Sequence, residues 1–159
     1  MRSSSIVTVA VSLLLAVACG GGGGGKTATG PANPGTTGAG SMSATIDGSA
    51  WTAVAVTTGI TNGVRIISGS DLARSVAMSF LVTGTGTQQF STSVALGVVI
   101  IGLQSWDASS SNGATGSVTI TTLTSNRAVG TFSFTAKAST ASTTPATRQV
   151  TNGKFDVKF

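Results

Sequence analysis

The chain has 159 residues, with 9 Lys+Arg against 4 Asp+Glu, no His, no Tyr, one Cys and 22 Gly, and a formal net charge of +5. All four acids are aspartates, Asp47, Asp71, Asp107 and Asp156, and no two lie within twenty residues of each other. Without imidazole or glutamate, most acid/base, nucleophile and metal-ligand constellations cannot be assembled, so the composition argues against an enzyme, a metal site or any other cofactor.

Residues 1–18 read as a secretory signal. Met1-Arg2 gives a positive end, Ile6 to Ala18 is an apolar run broken only by Thr8 and Ser12, and Ala16-Val17-Ala18 is a small-residue cleavage site. The run is too short for a spanning helix, which needs about 20 apolar residues. Cys19 follows directly, and Ala16-Val17-Ala18-Cys19 resembles the lipobox of bacterial lipoproteins, with Ala16 where that family usually has Leu. The resemblance implies acylation of Cys19, a membrane-lipid anchor and export to the cell envelope; Gly20 after the cysteine resembles the pattern sent to the outer membrane. The competing reading is plain secretion after Ala-x-Ala, with Cys19 left as a free thiol.

Gly20 to Gly40 reads GGGGGGKTATGPANPGTTGAG, a flexible linker, so residues 19–40 form a tether with an r.m.s. reach of roughly 25 Å. Gly20 to Thr27 matches the phosphate-binding expression G-x-x-x-x-G-K-[ST] letter for letter. A phosphate loop needs a strand before it and a helix after it, and this stretch runs from a cleavage site into Gly30-Pro31, so the match is rejected.

From Ser41 the apolar period becomes two. Met42, Ala44 and Ile46 alternate with hydroxyl residues, and Asp47-Gly48 turns the chain into a strand from Trp51 to Thr57. Asn62-Gly63 is a second hairpin turn, leading into Val64 to Ser68. Ser75 to Thr83 carries Val76, Met78, Phe80 and Val82 on one face, as expected near the middle of a sheet. Val94 to Leu103 is apolar on both sides and reads as a strand buried on both faces. Ser117 to Thr121, Gly130 to Ala136 and Lys154 to Phe159 alternate apolar inward and polar outward, with Ser125-Asn126-Arg127 as a turn and Ala138 to Thr147 as a loop. The spacing predicts an all-β domain over 41–159, an antiparallel sandwich or open barrel of about eight to ten short strands.

Ile46-Asp47-Gly48-Ser49-Ala50-Trp51, Gly130-Thr131-Phe132-Ser133-Phe134 and Thr151-Asn152-Gly153-Lys154-Phe155-Asp156-Val157 resemble the I-D-G-x-x-W, G-x-F-x-F and T-N-G-x-F-x-V pattern of an uncharacterised family of small β-rich bacterial lipoproteins. The resemblance spans most of Ser41 to Phe159. It implies compartment and architecture, and brings no catalytic residue with it.

Trp51 starts a strand after a turn and is expected in the core. Trp106, in Gln104-Ser105-Trp106-Asp107 before the polar loop Ala108 to Gly113, is the candidate ligand contact, since an exposed indole offers a flat stacking face to a glycan. Packing over the end of the sheet is the reading its position favours over exposure. Asp47 and Asp71 suit turn roles, Asp71 beside Arg74. Removal of residues 1–18 leaves eight Lys+Arg and four Asp, a net +4, but dispersed single charges give no nucleic-acid footprint. The reading is a non-enzymatic, lipid-anchored envelope module for binding or structure, with an envelope protein or glycan as partner. The alternatives are a glycan-binding module using Trp106 and, weakest, a hydrolase with a Ser or Thr nucleophile and a lysine base.

Overall fold

The structure is a computed structural model that describes residues 40–90 and 95–159. The expected signal, Cys19, nearly all of the linker and Val94 lie outside the described residues. The described part is all-β, with eleven strands and one short 3-10 turn: β1 Gly40–Ile46, β2 Ser49–Thr52, β3 Ala55–Thr61, β4 Val64–Ser70, β5 Arg74–Leu81, β6 Gly86–Gln89, β7 Leu96–Ile101, β8 Gln104–Ala108, η1 Ser110–Asn112, β9 Thr115–Leu123, β10 Arg127–Ala138 and β11 Thr147–Lys158.

All strand pairs are antiparallel, and the path runs β2-β1-β11-β10-β8-β7-β5-β4-β3, with β9 on β10 and β6 on β9. This is one curled sheet, a half-barrel, which decides between sandwich and open barrel. The path ends in β2 and β3, which are successive pieces of chain. Ala53 N–H donates to Met42 O at 2.9 Å and Val54 N–H to Ser70 O at 2.8 Å, so the chain leaves the β1 ladder and joins the β4 ladder within one step. β10 divides its free edge in the same manner, pairing β9 through Ala128 to Thr135 and β8 through Lys137 and Ala138.

Both expected hairpin turns form with two-residue loops. Asp47 and Gly48 have φ of 48° and 82°, and Asn62 and Gly63 have 50° and 76°. Positive φ at both central residues matches the right-handed twist of the flanking strands, which is why Asp-Gly and Asn-Gly occupy them. β7 is buried on one face only, with Val99 covered and Val98 and Ile100 half-buried, because a single sheet has no second layer over its outer face. The inward residues make one core. Five phenylalanines form a chain through it: Phe80 to Phe155 (6.1 Å between centroids), Phe155 to Phe132 (6.5 Å), Phe132 to Phe134 (6.3 Å) and Phe134 edge-on to Phe90 (5.5 Å). These rings join β5, β10, β11 and the end of β6 across the curl, and all five are buried in the core.

Candidate functional site

Ordinary strand alternation places Trp106. In β8 the side chains of Trp106 and Ala108 point inward and are fully buried, while Ser105 and Asp107 point out. Trp106, the candidate ligand contact, is therefore packed rather than exposed, and no stacking face is open. Trp106 Nε1 donates to the Pro145 carbonyl at 2.7 Å, and the Arg148 guanidinium lies 4.5 Å from the ring centroid. Trp51 is in the core as expected, and its Nε1 has no acceptor among the described residues.

The two loops singled out in the sequence meet at this point. Ala138 pairs with Trp106, and Ser139 N–H donates to Ser105 O at 3.0 Å, which carries the β8 edge into the β10–β11 connection. Asp107 collects the hydroxyl groups around it: Oδ2 accepts from Ser109 Oγ (2.9 Å) and Asn112 Nδ2 (2.6 Å), and Oδ1 from Ser139 Oγ (3.0 Å). Ser105 Oγ donates in turn to Ser139 Oγ at 3.0 Å. The connection is itself held: Ala138 N–H donates to Ala146 O at 2.8 Å, and Thr143 is buried with its hydroxyl 2.8 Å from that of Thr140.

Each carboxylate has a structural partner. Asp47 accepts from Arg148 Nη1 at 2.6 Å and from Gln149 N–H at 2.8 Å, which locks the β1–β2 turn to β11. Asp71 accepts from the N–H groups of Ala73 (2.8 Å) and Arg74 (2.6 Å) and pairs with the Arg74 guanidinium. Burial pushes the Asp71 carboxyl up, but these donors outweigh it and hold it below the usual carboxylate range. Asp156 takes Arg127 in a two-pronged pair at 2.8 and 2.5 Å, and that side-chain hydrogen bond lowers its carboxyl in the same sense. Lys137 Nζ, a base that a hydroxyl nucleophile would need, donates to the Asn112 carbonyl at 2.7 Å. Among the described residues no three His, Cys, Asp or Glu side chains gather as metal ligands would.

Two leucines stand out at this end: Leu72, which the sequence did not single out, and Leu103, which was expected to close the buried strand from Val94 but lies beyond β7, which ends at Ile101. Leu72, in the β4–β5 turn, and Leu103, in the β7–β8 turn, are fully exposed, and their turns touch through Gly102 N–H to Ala73 O at 3.1 Å. The signal for them was a single leucine between turn-forming residues, Asp71-Leu72-Ala73 and Gly102-Leu103-Gln104, where neither strand face can use it. The same end thus carries two apolar tips beside a hydroxyl-rich rim. It is well separated from Gly40, which pairs with Val157, ten residues along β11 from Thr147 and so up to roughly 33 Å away along a straight strand.

No curated protein matches the chain. A family described as a domain of unknown function, DUF6252, matches residues 39–156, which is the β domain almost from end to end. The chain belongs to the DUF6252 family.

Proposed function

We propose that this protein is a lipid-tethered module of the bacterial cell envelope, probing its surroundings through the end of the half-barrel that carries Leu72, Leu103 and the Ser139–Thr143 rim, and catalysing nothing. The anchor is acylated Cys19, the outer membrane is its destination, and the glycine-rich linker sets its reach. The observation that carries the reading is spatial. The linker meets the domain at Gly40, at the far end of β11 from the two loops and the two leucine tips. A tether at one end and an exposed apolar and hydroxyl surface at the other suit display to a partner. The non-enzymatic part is supported by the occupation of all four aspartates and of Lys137 in structural bonds.

Cell fractionation with Cys19→Ser tests the anchor. The wild-type chain should pellet with membranes and be released by detergent but not by salt, and the variant should leave the membrane fraction. A variant that pellets as the wild type does would defeat the tether. With the anchor removed by Cys19→Ser, the purified chain should be captured by immobilised, detergent-solubilised envelope protein, and replacing both Leu72 and Leu103 by Ser should reduce that capture while leaving the fold unchanged.

A further inference from the structure

Among the described residues Arg65 is a buried cation with no carboxylate partner. Arg65 is the second residue of β4, and its side chain takes an inward position, in step with Ile67 and Gly69. It is only 9% exposed. Its cross-strand neighbours are Ile60 on β3 and Phe80 on β5. The guanidinium carbon sits 3.4 Å from the centroid of the Phe159 ring. β4 and β11 are not neighbours in the sheet, so this contact spans the mouth of the half-barrel.

The aromatic face is a partner for the flat of the guanidinium, but its N–H donors lie in the plane and require acceptors at the edge. Among the described residues Arg65 Nε is buried with no acceptor and no carboxylate pairs with the group, the four aspartates being engaged elsewhere. Burial lowers the pKa of the Arg65 guanidinium, the expected sign for a cation removed from water without compensation. Folded proteins leave few buried donors unmet, and an unmet donor on a permanent cation is costly enough to demand a reason. Beside it the surface is apolar: Ile60 is 55% exposed and Phe159 37% exposed, although both stand at the mouth of a core.

We propose that this mouth binds an amphiphilic anion, its carboxylate or phosphate head taken by the edge of Arg65 and its apolar tail lying over Ile60 and Phe159. The guanidinium fork matches such a head in geometry as well as in charge. The Phe159 ring covers the flat of the guanidinium and leaves its edge to the head group. The Phe159 backbone N–H donates to the Asn126 carbonyl at 3.0 Å, which fixes the ring's position at the mouth.

Isothermal titration of the purified full-length chain, kept in a neutral maltoside detergent, decides the matter with three probes: dodecanoate, dodecyl phosphate and inorganic phosphate. Arg65→Met titrated in the same detergent cancels partition into micelles. At least one of the two amphiphiles should bind the wild type, the preferred one naming the head group, and Arg65→Met should weaken it by at least about tenfold, the loss expected for charge-assisted hydrogen bonds. Inorganic phosphate should bind far more weakly than dodecyl phosphate. Should Arg65→Met fail to fold by circular dichroism, Arg65→Lys replaces it, with a smaller weakening because charge remains without the fork. Absence of binding by both amphiphiles, equal affinity of the preferred amphiphile for wild type and variant, or inorganic phosphate binding as tightly as the preferred amphiphile would each overturn the assignment.

Discussion

The indole N–H of Trp106 donates to the carbonyl of Pro145 at 2.7 Å, across 39 residues of sequence, and pins the β10–β11 connection to β8. The ring meanwhile fills the core and supports Arg148, which carries the Asp47 turn. Trp106→Phe keeps most of the apolar volume and loses the donor, leaving the Pro145 carbonyl unpaired. The expected loss is about 1–2 kcal/mol in urea denaturation, with faster proteolysis between Ser139 and Ala146. A variant as stable and as resistant as the wild type would remove Trp106 from this role.

Two glycines in neighbouring strands should respond in opposite ways. A Cβ on Gly69 would come within 2.8 Å of Met42 Sδ and 2.9 Å of both Ala53 Cβ and the Trp51 ring, at the place where β4 backs onto the β1–β2 hairpin. Gly69→Ala should cost about 1–3 kcal/mol through overpacking. A Cβ on Gly59, in β3, meets nothing within 4 Å, so Gly59→Ala should be neutral or slightly stabilising. Thermal melts of the pair check both signs.

Acid sensitivity follows from Asp71. Its folded pKa is depressed, so its contribution to stability is complete above the ordinary carboxylate value of about 3.9 and is lost as the pH falls through the lower folded value. Asp156 adds in the same direction but weakly, because 42% of its side chain meets solvent. With no histidine and no glutamate in the chain, urea midpoints should be flat from about pH 5 to pH 8 and drop below about pH 4. Asp71→Asn should cost about 1 kcal/mol at neutral pH and shallow the acid limb. An unchanged acid limb in that variant would contradict the assignment.

The hairpin turns offer a second contrast among the glycines. Gly48 and Gly63 have open space around a notional Cβ but φ of +82° and +76°, so only backbone strain opposes a side chain there. Gly48→Ala and Gly63→Ala should each cost about 1 kcal/mol by chemical denaturation. Retained stability in both would mean that these turns relax to another type.

Those turns were legible in the sequence because Asp-Gly and Asn-Gly have one strong local meaning, and β5, β9 and β10 because their apolar residues keep a clean period of two. Other strands were hidden for physical reasons. β6 is four residues of Gly, Thr and Gln, and Gln88 supports the sheet through its side chain, bonding Leu81 N and O at 2.9 and 2.7 Å. β8 has only Trp106 and Ala108 inward, too few for a period, so its tryptophan read as a loop residue. β11 begins at Thr147, seven residues before the expected Lys154. Asn152-Gly153 interrupts the period as a bulge, with Asn152 at φ 53° and Gly153 against the Phe132 ring, where no Cβ fits. These extra strands, and the division of one expected strand into β2 and β3, raise the number from the expected eight to ten to eleven. The meeting of the two loops was not legible, because it depends on β10 switching partners from β9 to β8. Arg65 read as one dispersed charge among many, since its missing counterion exists only in three dimensions.

The tether is the premise on which the display reading stands, and intact-mass spectrometry of the chain extracted from its native membrane tests it most directly. The account predicts a polypeptide beginning at Cys19 and heavier than residues 19–159 by a diacylglyceryl group and any further acyl chain. A mass equal to residues 19–159 without acyl groups, or to the whole chain from Met1, would contradict it.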